Sequence, residues 1–122
     1  MSKNLAIAVI DDDESFRVAL VESLSSLGYE TSGYTSAEDY LHGIADGAFD
    51  CVVSDIHMAG MSGLDLMKRL AAQGLTTPVV LITARSDSSL ETKASVAGAV
   101  CLLRKPFEMN DLIKCIDGPA KT

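Results

Sequence analysis

The chain has 122 residues, about the length of one ordinary domain, so a second domain of normal size does not fit. Apolar residues make up 48% and charged residues 22%, a balance that indicates a globular fold and argues against a disordered chain. The formal net charge of −7 disfavours direct binding to nucleic acid or to anionic lipid. No apolar run approaches the roughly 20 residues that span a bilayer. The N-terminal residues also lack a secretory signal, so we expect a cytoplasmic protein.

Strand and helix patterns alternate five times along the chain. Residues 5–10 are a continuous apolar run, which favours a strand covered on both faces, and from Asp13 apolar residues recur at helical spacing until Gly28. Further strands are predicted at residues 29–33, 51–54, 78–82 and 99–103. Further helices are predicted at residues 36–46, around residues 66–71, at residues 87–97 and around residues 112–116.

This alternation predicts a single α/β domain over residues 1–122, with a five-stranded parallel sheet and helices on both faces. The second strand has the weakest apolar pattern and is expected at an edge of the sheet. Residues 118–122 are expected to form a flexible tail. In a doubly wound sheet of this kind, ligands bind beyond the carboxyl ends of the strands.

The three cysteines, Cys51, Cys101 and Cys115, are odd in number and widely spaced, and they form no CxxC pair. Neither a disulfide framework nor a thiolate metal site is therefore predicted. We interpret them as small core residues in a reducing compartment.

Polar side chains follow four of the five predicted strands. The first strand ends in three consecutive aspartates, Asp11, Asp12 and Asp13, and the third ends in Asp55. Thr83 follows the fourth strand and Lys105 the fifth. Carboxylates from two strands repel each other at one edge, and a divalent cation is the simplest way to hold them together. Because the candidate ligands are all oxygens, the pattern indicates Mg²⁺ and phosphoryl chemistry, with the threonine and lysine binding phosphoryl oxygens.

Each of these signals has a structural explanation when it is taken alone. The three aspartates suit a helix cap and a first turn that the helix dipole favours, although one cap needs only one acid. Asp55 suits a turn, Thr83 another helix cap, and Lys105 with Pro106 an ordinary loop. Their joint occurrence at four strand ends favours the functional interpretation.

The combined pattern resembles the receiver domains of two-component response regulators, especially those attached to LuxR-type (NarL/FixJ-like) DNA-binding domains. The matching segments are residues 9–13, 53–58, 61–63, 81–83 and 105–107. The resemblance covers nearly the whole chain and implies a flavodoxin-like (βα)5 fold. It also implies a phosphorylation-activated signalling switch and not an enzyme that turns over an external substrate.

By this resemblance, Asp55 accepts a phosphoryl group from a sensor histidine kinase in a Mg²⁺-dependent reaction. The metal ligands would be the carboxylates of Asp11, Asp12 and Asp55 and the backbone carbonyl of His57, whose side chain is expected to be exposed. Thr83 and Lys105 would bind the phosphoryl oxygens. The peptide bond between Lys105 and Pro106 is expected to be cis, an isomer that is essentially confined to X-Pro bonds.

Two positions depart from the family pattern. Ala59 stands where receivers usually have proline, four residues after the phosphoacceptor, and a looser loop is expected there. Leu102 stands where the family generally has a tyrosine or phenylalanine that rotates with the threonine. Because leucine lacks the ring, we expect a weaker or altered switch.

The charge is unevenly distributed along the chain. Residues 1–66 hold twelve acids and two bases, whereas residues 67–122 hold five acids and eight bases. The family's usual output surface, formed by the fourth helix, fifth strand and fifth helix, lies in the basic part. Its bases would be Arg85, Lys93, Arg104 and Lys114, and its acids Glu91, Asp111 and Asp117. These charges suggest a phosphorylation-dependent homodimer, and the switch is expected to control transcription through an effector domain absent from this chain.

Two alternatives remain open. The first is a pseudo-receiver, a protein-binding module that keeps the fold and uses Leu102 and Ala59 in a non-phosphorylated mode. The second is a phosphatase of the haloacid dehalogenase type, because residues 11–13 contain a D-x-D motif after the first strand. The late acidic pair and the cap of such phosphatases are not evident in the sequence.

Overall fold

The computed structural model describes residues 5–43 and 49–117, in which five strands alternate with five helices. The strands are β1 (Ala6–Ile10), β2 (Glu30–Tyr34), β3 (Cys51–Asp55), β4 (Val79–Thr83) and β5 (Cys101–Arg104). The helices are α1 (Glu14–Ser26), α2 (Ala37–Gly43), α3 (Gly63–Ala72), α4 (Ser89–Ala97) and α5 (Met109–Asp117). The predicted tail at residues 118–122 and the end of the predicted second helix, residues 44–46, lie outside the described residues.

All strand pairs are parallel, and the strand order is β2-β1-β3-β4-β5. The predicted doubly wound fold is therefore confirmed, with β2 at one edge. The order reverses between β1 and β3, which places the switch point of the sheet at the carboxyl ends of these two strands.

The core lies on both faces of the sheet, because alternate residues of a strand point to opposite sides. On one face, Ala8 and Val52 pack with residues of α3 and α4. On the other, Val9 and Val53 pack with residues of α1 and α5. Burial on both faces explains why the central strands are continuous apolar runs in the sequence.

Helix ends follow local side-chain chemistry. Asp13 caps α1 by accepting a hydrogen bond from the Phe16 N–H at 3.2 Å. α4 begins at Ser89, two residues later than expected. There the Asp87 carboxylate accepts hydrogen bonds from the N–H and the hydroxyl of Ser89, a local alternative to another helical turn. No helix among the described residues has the length and apolar character to cross a bilayer.

The prediction that the cysteines are core residues is confirmed for Cys51 and Cys115, whereas the prediction that no disulfide forms is wrong. Cys51 is a buried core thiol. Cys101 of β5 and Cys115 of α5 are instead joined in a disulfide, with their Cα atoms 6.0 Å apart. The pairing depends on how α5 packs against β5, so the spacing of cysteines along the chain did not reveal it.

Candidate functional site

Three carboxylates meet at the switch point of the sheet. Asp11 follows β1 and Asp55 ends β3, and the preceding residues Ile10 and Ser54 are register partners in these neighbouring strands. Both carboxylates are buried, whereas Asp12 is exposed. One carboxylate oxygen from each aspartate lies within 4.8 Å of the other two. The structure thus brings together the three aspartates that the sequence predicted as metal ligands.

Lys105 completes this cluster from the loop after β5. Its Nζ atom lies 3.0 Å from Asp11 Oδ2 and 3.4 Å from Asp55 Oδ2. The same ammonium lies 4.0 Å from the centroid of the Phe16 ring, a cation–π contact that also limits its access to water. The peptide bond to Pro106 is cis, as predicted, and the Lys105 N–H donates to the Thr83 carbonyl at 2.8 Å.

Burial and charge act in opposite directions at the ion pair. Burial raises the pKa of Asp11, although the Asp13 N–H and the Lys105 ammonium partly offset the rise. Burial lowers the pKa of Lys105, but its hydrogen bond to Asp11 and the charges of Asp11 and Asp55 outweigh this effect, so the pKa is raised overall. Lys105 therefore stays an ammonium at neutral pH, where it can neutralise negative charge on a ligand.

Thr83 lies at the end of β4, beside β3, and is fully buried. Its Oγ1 accepts a hydrogen bond from the Arg85 N–H at 3.0 Å. This bond uses an oxygen lone pair and leaves the hydroxyl proton available for another acceptor. Leu102 of β5 is partly buried and is the register partner of Leu81, two residues before Thr83.

The loop after β3 is held by acidic side chains. The Ala59 N–H donates to Asp12 Oδ2 at 3.1 Å, and the Met61 N–H donates to Glu38 Oε2 at 2.9 Å. Proline at position 59 could not form the first bond, because it has no N–H. This bond is one contact that holds the loop at Ala59, and the expectation of a looser loop stays a prediction. Glu38 was missed by the sequence reasoning, because nothing in the spacing connects a residue of α2 with this loop.

His57 differs from the expectation of an exposed side chain. The residue is partly buried, and its Nε2 atom is buried without a hydrogen-bond partner among the described residues. Its backbone N–H donates to Asp55 Oδ1 at 3.2 Å, which orients the Asp55 carboxylate. The side chain is thus less exposed than expected, and the contact with Asp55 is made by the backbone.

The donor set fits a hard divalent cation. Oxygens that bind one Mg²⁺ at about 2.1 Å are at most about 4.2 Å apart, so carboxylates within 4.8 Å of one another need only a small adjustment. All three donors are carboxylate oxygens, which Mg²⁺ prefers. The mutual repulsion of Asp11 and Asp55, which contributes to the raised pKa of Asp11, is what a bound cation would relieve.

The expected output surface is exposed. Its four bases, Arg85, Lys93, Arg104 and Lys114, are solvent-accessible. Two of the acids expected to pair across a dimer have partners within the chain, since Arg104 Nη2 lies 3.9 Å from Glu91 and Asp117 accepts a hydrogen bond from the Tyr29 hydroxyl. The exposed pair contributes little to stability.

A doubly wound parallel domain with carboxylates, a threonine and a lysine at four strand ends has the architecture of a signalling receiver. Residues 7–117 match the family model described as the response regulator receiver domain, and the chain belongs to this family. Receiver domains of response regulators are phosphorylated by sensor histidine kinases and generally bind Mg²⁺ at an acidic pocket.

The relatives include regulators of transcription. The chain is 38% identical over 111 residues to the transcriptional regulatory protein FixJ of Bradyrhizobium diazoefficiens, covering 91% of this chain and 54% of FixJ. It is 34% identical over 110 residues to the response regulator protein TmoT of Ectopseudomonas mendocina, covering 90% of this chain and 50% of TmoT. The chain thus spans about half the length of the curated relatives it matches.

Solved structures confirm the flavodoxin-like receiver fold. The crystal structure of FixJ-N superposes with a TM-score of 0.88 at 30% identity, covering 95% of this chain and 93% of that one. The response regulator StyR superposes with a TM-score of 0.88 at 35% identity, covering 95% of this chain and 59% of that one. FixJ is a LuxR-type regulator, in agreement with the resemblance found in the sequence.

Proposed function

We propose that this chain is a phosphoacceptor switch in which Asp55 receives a phosphoryl group from a sensor histidine kinase. The observation that carries the proposal is the position of the Asp55 carboxylate. It lies at the end of a buried strand, 3.4 Å from the Lys105 ammonium, and shares a cluster of oxygens with Asp11 and Asp12. A carboxylate held beside an ammonium is well placed to attack phosphorus and to have the transferred charge neutralised.

The transfer exchanges one bond at phosphorus for another. An oxygen of Asp55 attacks the phosphorus of the kinase's phosphohistidine, the phosphorus–nitrogen bond breaks, and an acyl phosphate forms on Asp55 while the histidine retains the electron pair. The ligands proposed for Mg²⁺ are the carboxylates of Asp11, Asp12 and Asp55 and the carbonyl of His57. When bound, the cation supplies charge neutralisation for the phosphoryl oxygens.

Two side chains act on the transferred group. Lys105 neutralises one phosphoryl oxygen, and for this its ammonium moves away from Asp11 and Asp55, the two carboxylates it contacts before phosphorylation. The Thr83 hydroxyl donates a hydrogen bond to another phosphoryl oxygen while its Oγ1 continues to accept a hydrogen bond from the Arg85 N–H. Later attack of water on the acyl phosphate returns Asp55 to its carboxylate, so the domain assists its own dephosphorylation without turning over an external substrate.

The output passes through the surface formed by α4, β5 and α5. Movement of Thr83 towards the phosphoryl group opens space beside β5, where Leu102 replaces the usual aromatic ring. We propose a phosphorylation-dependent homodimer through α4 and β5, in a cytoplasmic protein that controls transcription through an effector outside these 122 residues. Because the net charge is −7, direct binding of this chain to nucleic acid or to a membrane is not part of the proposal.

The experiment is intact mass spectrometry after incubation with acetyl phosphate and Mg²⁺. Wild type and the surface control Glu22→Gln are expected to gain one phosphoryl group, whereas Asp55→Asn gains none, because an amide cannot form the acyl phosphate. Addition of a phosphoryl group to Asp55→Asn would place the nucleophile elsewhere, with Asp11 next in order.

The alternative function is a pseudo-receiver that binds a partner without phosphorylation. The observation that favours it is Leu102, which packs in the apolar cluster and offers no ring for the usual switch. Failure of wild type and Glu22→Gln to gain a phosphoryl group would favour this alternative.

A further inference from the structure

Two cysteines join the last strand to the last helix. Cys101 is the first residue of β5, and Cys115 lies in the final turns of α5, fourteen residues later. Their Cα atoms are 6.0 Å apart, within the usual range for a disulfide, so neither backbone has to move when the bond forms or breaks.

The pair differs from the third cysteine in accessibility. Cys51 is buried in the middle of the sheet, and burial raises the pKa of its thiol to about 12, which suppresses the reactive thiolate. Cys101 is partly exposed at the edge strand, whereas Cys115 is 8% exposed. An external reagent therefore reaches Cys101 first, and Cys115 is positioned to resolve the resulting adduct.

We propose that Cys101 and Cys115 form a reversible redox site that exchanges with low-molecular-weight disulfides of the glutathione class. The Cys101 thiolate attacks one sulfur of the external disulfide, a mixed disulfide forms, and one thiol leaves. The Cys115 thiolate then attacks the Cys101 sulfur, the second thiol leaves, and the protein disulfide forms. Two electrons pass from the protein to the reagent, and the two cysteine protons end on the two released thiols.

The structural consequence is a change in how firmly the end of α5 is held. In the oxidised form its last turns are attached to β5 by the disulfide and to Tyr29, the residue before β2, by a hydrogen bond of 3.3 Å from the Tyr29 hydroxyl to Asp117. After reduction, the hydrogen bond and the apolar contacts of Leu112 and Ile116 remain. Oxidation therefore adds a covalent restraint on α5. A disulfide in a reducing compartment is typically transient and redox-sensing, so we expect this restraint to be reversible.

This site lies apart from the phosphoryl chemistry. Neither cysteine contacts Asp11, Asp55 or Lys105 through a hydrogen bond or ion pair among the described residues. The exchange reaction is therefore independent of the proposed function. Only its influence on output, through α5, depends on that proposal.

The first test counts thiols by alkylation in denaturant followed by intact mass measurement. After treatment with oxidised glutathione the wild type is expected to take up one alkyl group, on Cys51, and after reduction with dithiothreitol three. Cys51→Ala should give none and two, and Asp55→Asn should behave as wild type. Cys115→Ser should retain one glutathione on Cys101, whereas Cys101→Ser should retain none. Three alkyl groups after oxidation, or a covalent dimer, would overturn the proposal.

The second test measures the restraint directly by amide hydrogen exchange of the full chain. Oxidation is expected to slow exchange in Met109–Asp117 by at least about tenfold, with little change in Cys51–Asp55. The Cys115→Ser variant should show no such difference between oxidising and reducing buffer. Equal exchange of α5 in oxidised and reduced wild type would contradict the restraint.

Discussion

The strands β1 and β3 differ from the edge strand β5 in burial and in the functional groups that they carry. Every residue of β3, and all but the first of β1, is buried, and these strands hold the carboxylates of the site. β5 contains no fully buried residue, and it bears the lysine loop, one cysteine of the disulfide and the position of the aromatic switch. The proposed phosphoacceptor therefore lies on a fully buried strand, whereas the elements proposed to respond are less tightly packed.

The largest expected effect comes from removing the Lys105 ammonium, which joins the loop after β5 to the carboxylates of Asp11 and Asp55. Lys105→Met keeps the aliphatic stem but leaves Asp11 and Asp55 without their ammonium, so we expect a loss of on the order of 3 kcal/mol in the free energy of unfolding. Phosphorylation by acetyl phosphate should also slow strongly. Chemical denaturation measures the stability, with Lys114→Met on the exposed face of α5 as the control. If both lysine variants lose equally little, the contacts of Lys105 contribute no more than an exposed charge.

Mg²⁺ should stabilise the folded domain by binding the carboxylates that follow β1 and end β3. A concentration ten times the dissociation constant adds about 1.4 kcal/mol to the free energy of unfolding, so the melting temperature should rise. Asp12→Asn should remove most of this increase, and Glu22→Gln should preserve it. An undiminished increase in Asp12→Asn would exclude the Asp12 carboxylate as a ligand.

The buried acid should produce a pH dependence of known sign. Because the pKa of Asp11 is raised in the fold, the folded state favours the neutral acid. The contribution of this group to the free energy of unfolding is fully present below about pH 3.8, and it is lost as the pH rises through the raised pKa. In chelator, Asp11→Asn should therefore gain stability relative to wild type as the pH increases from about 4 towards neutrality. Melting curves across this range measure the gain, with the exposed Glu22→Gln as the comparison. A difference between wild type and Asp11→Asn that does not change with pH would contradict this origin.

A smaller effect is expected at the loop bond to Asp12. Ala59→Pro removes the N–H that holds the Asp12 carboxylate near Asp11 and Asp55. A hydrogen bond contributes about 0.5–1.5 kcal/mol net, so we expect Mg²⁺ to bind roughly twofold to tenfold more weakly to this variant. Ala59→Ser keeps the N–H and should bind as wild type. Calorimetric titration distinguishes the two, and tighter binding by the proline variant would show that the bond competes with the metal.

The smallest effect on stability is expected at the edge strand β5. Leu102→Tyr introduces the missing ring on a half-buried strand, and we expect it to strengthen phosphorylation-dependent dimerisation while the phosphorylation of Asp55 itself is unchanged. Light scattering with and without acetyl phosphate measures the dimer, and Leu102→Met serves as the aliphatic control. No gain with tyrosine would mean that Leu102 does not limit the coupling.

Much of the fold was predictable because its signals are local. Buried parallel strands are continuous apolar runs, and Asp13 caps α1 through a residue three positions away. The aspartates, Thr83 and Lys105 were predicted together because each directly follows or ends a strand, and parallel topology brings those ends to one edge. Their assignment as ligands and phosphoryl contacts remains a prediction.

The features that the sequence reasoning missed all depend on contacts between distant parts of the chain. Glu38 binds the loop at Met61, Ala59 donates to Asp12, and His57 has its Nε2 atom buried, yet none of these follows from periodicity or motif spacing. The pairing of Cys101 with Cys115 likewise depends on how α5 packs against β5.

The sequence alone therefore determined the succession of strands and helices along the chain, the aspartates at the ends of the first and third strands, and the family. Hydrophobic periodicity and residue type carry that information. The tertiary structure decided which oxygens lie within reach of one cation, which carboxylates share Lys105, and which cysteines meet. The physical reason is distance along the chain. Asp11 and Lys105 are 94 residues apart and interact only because strand packing places their Oδ2 and Nζ atoms 3.0 Å from each other.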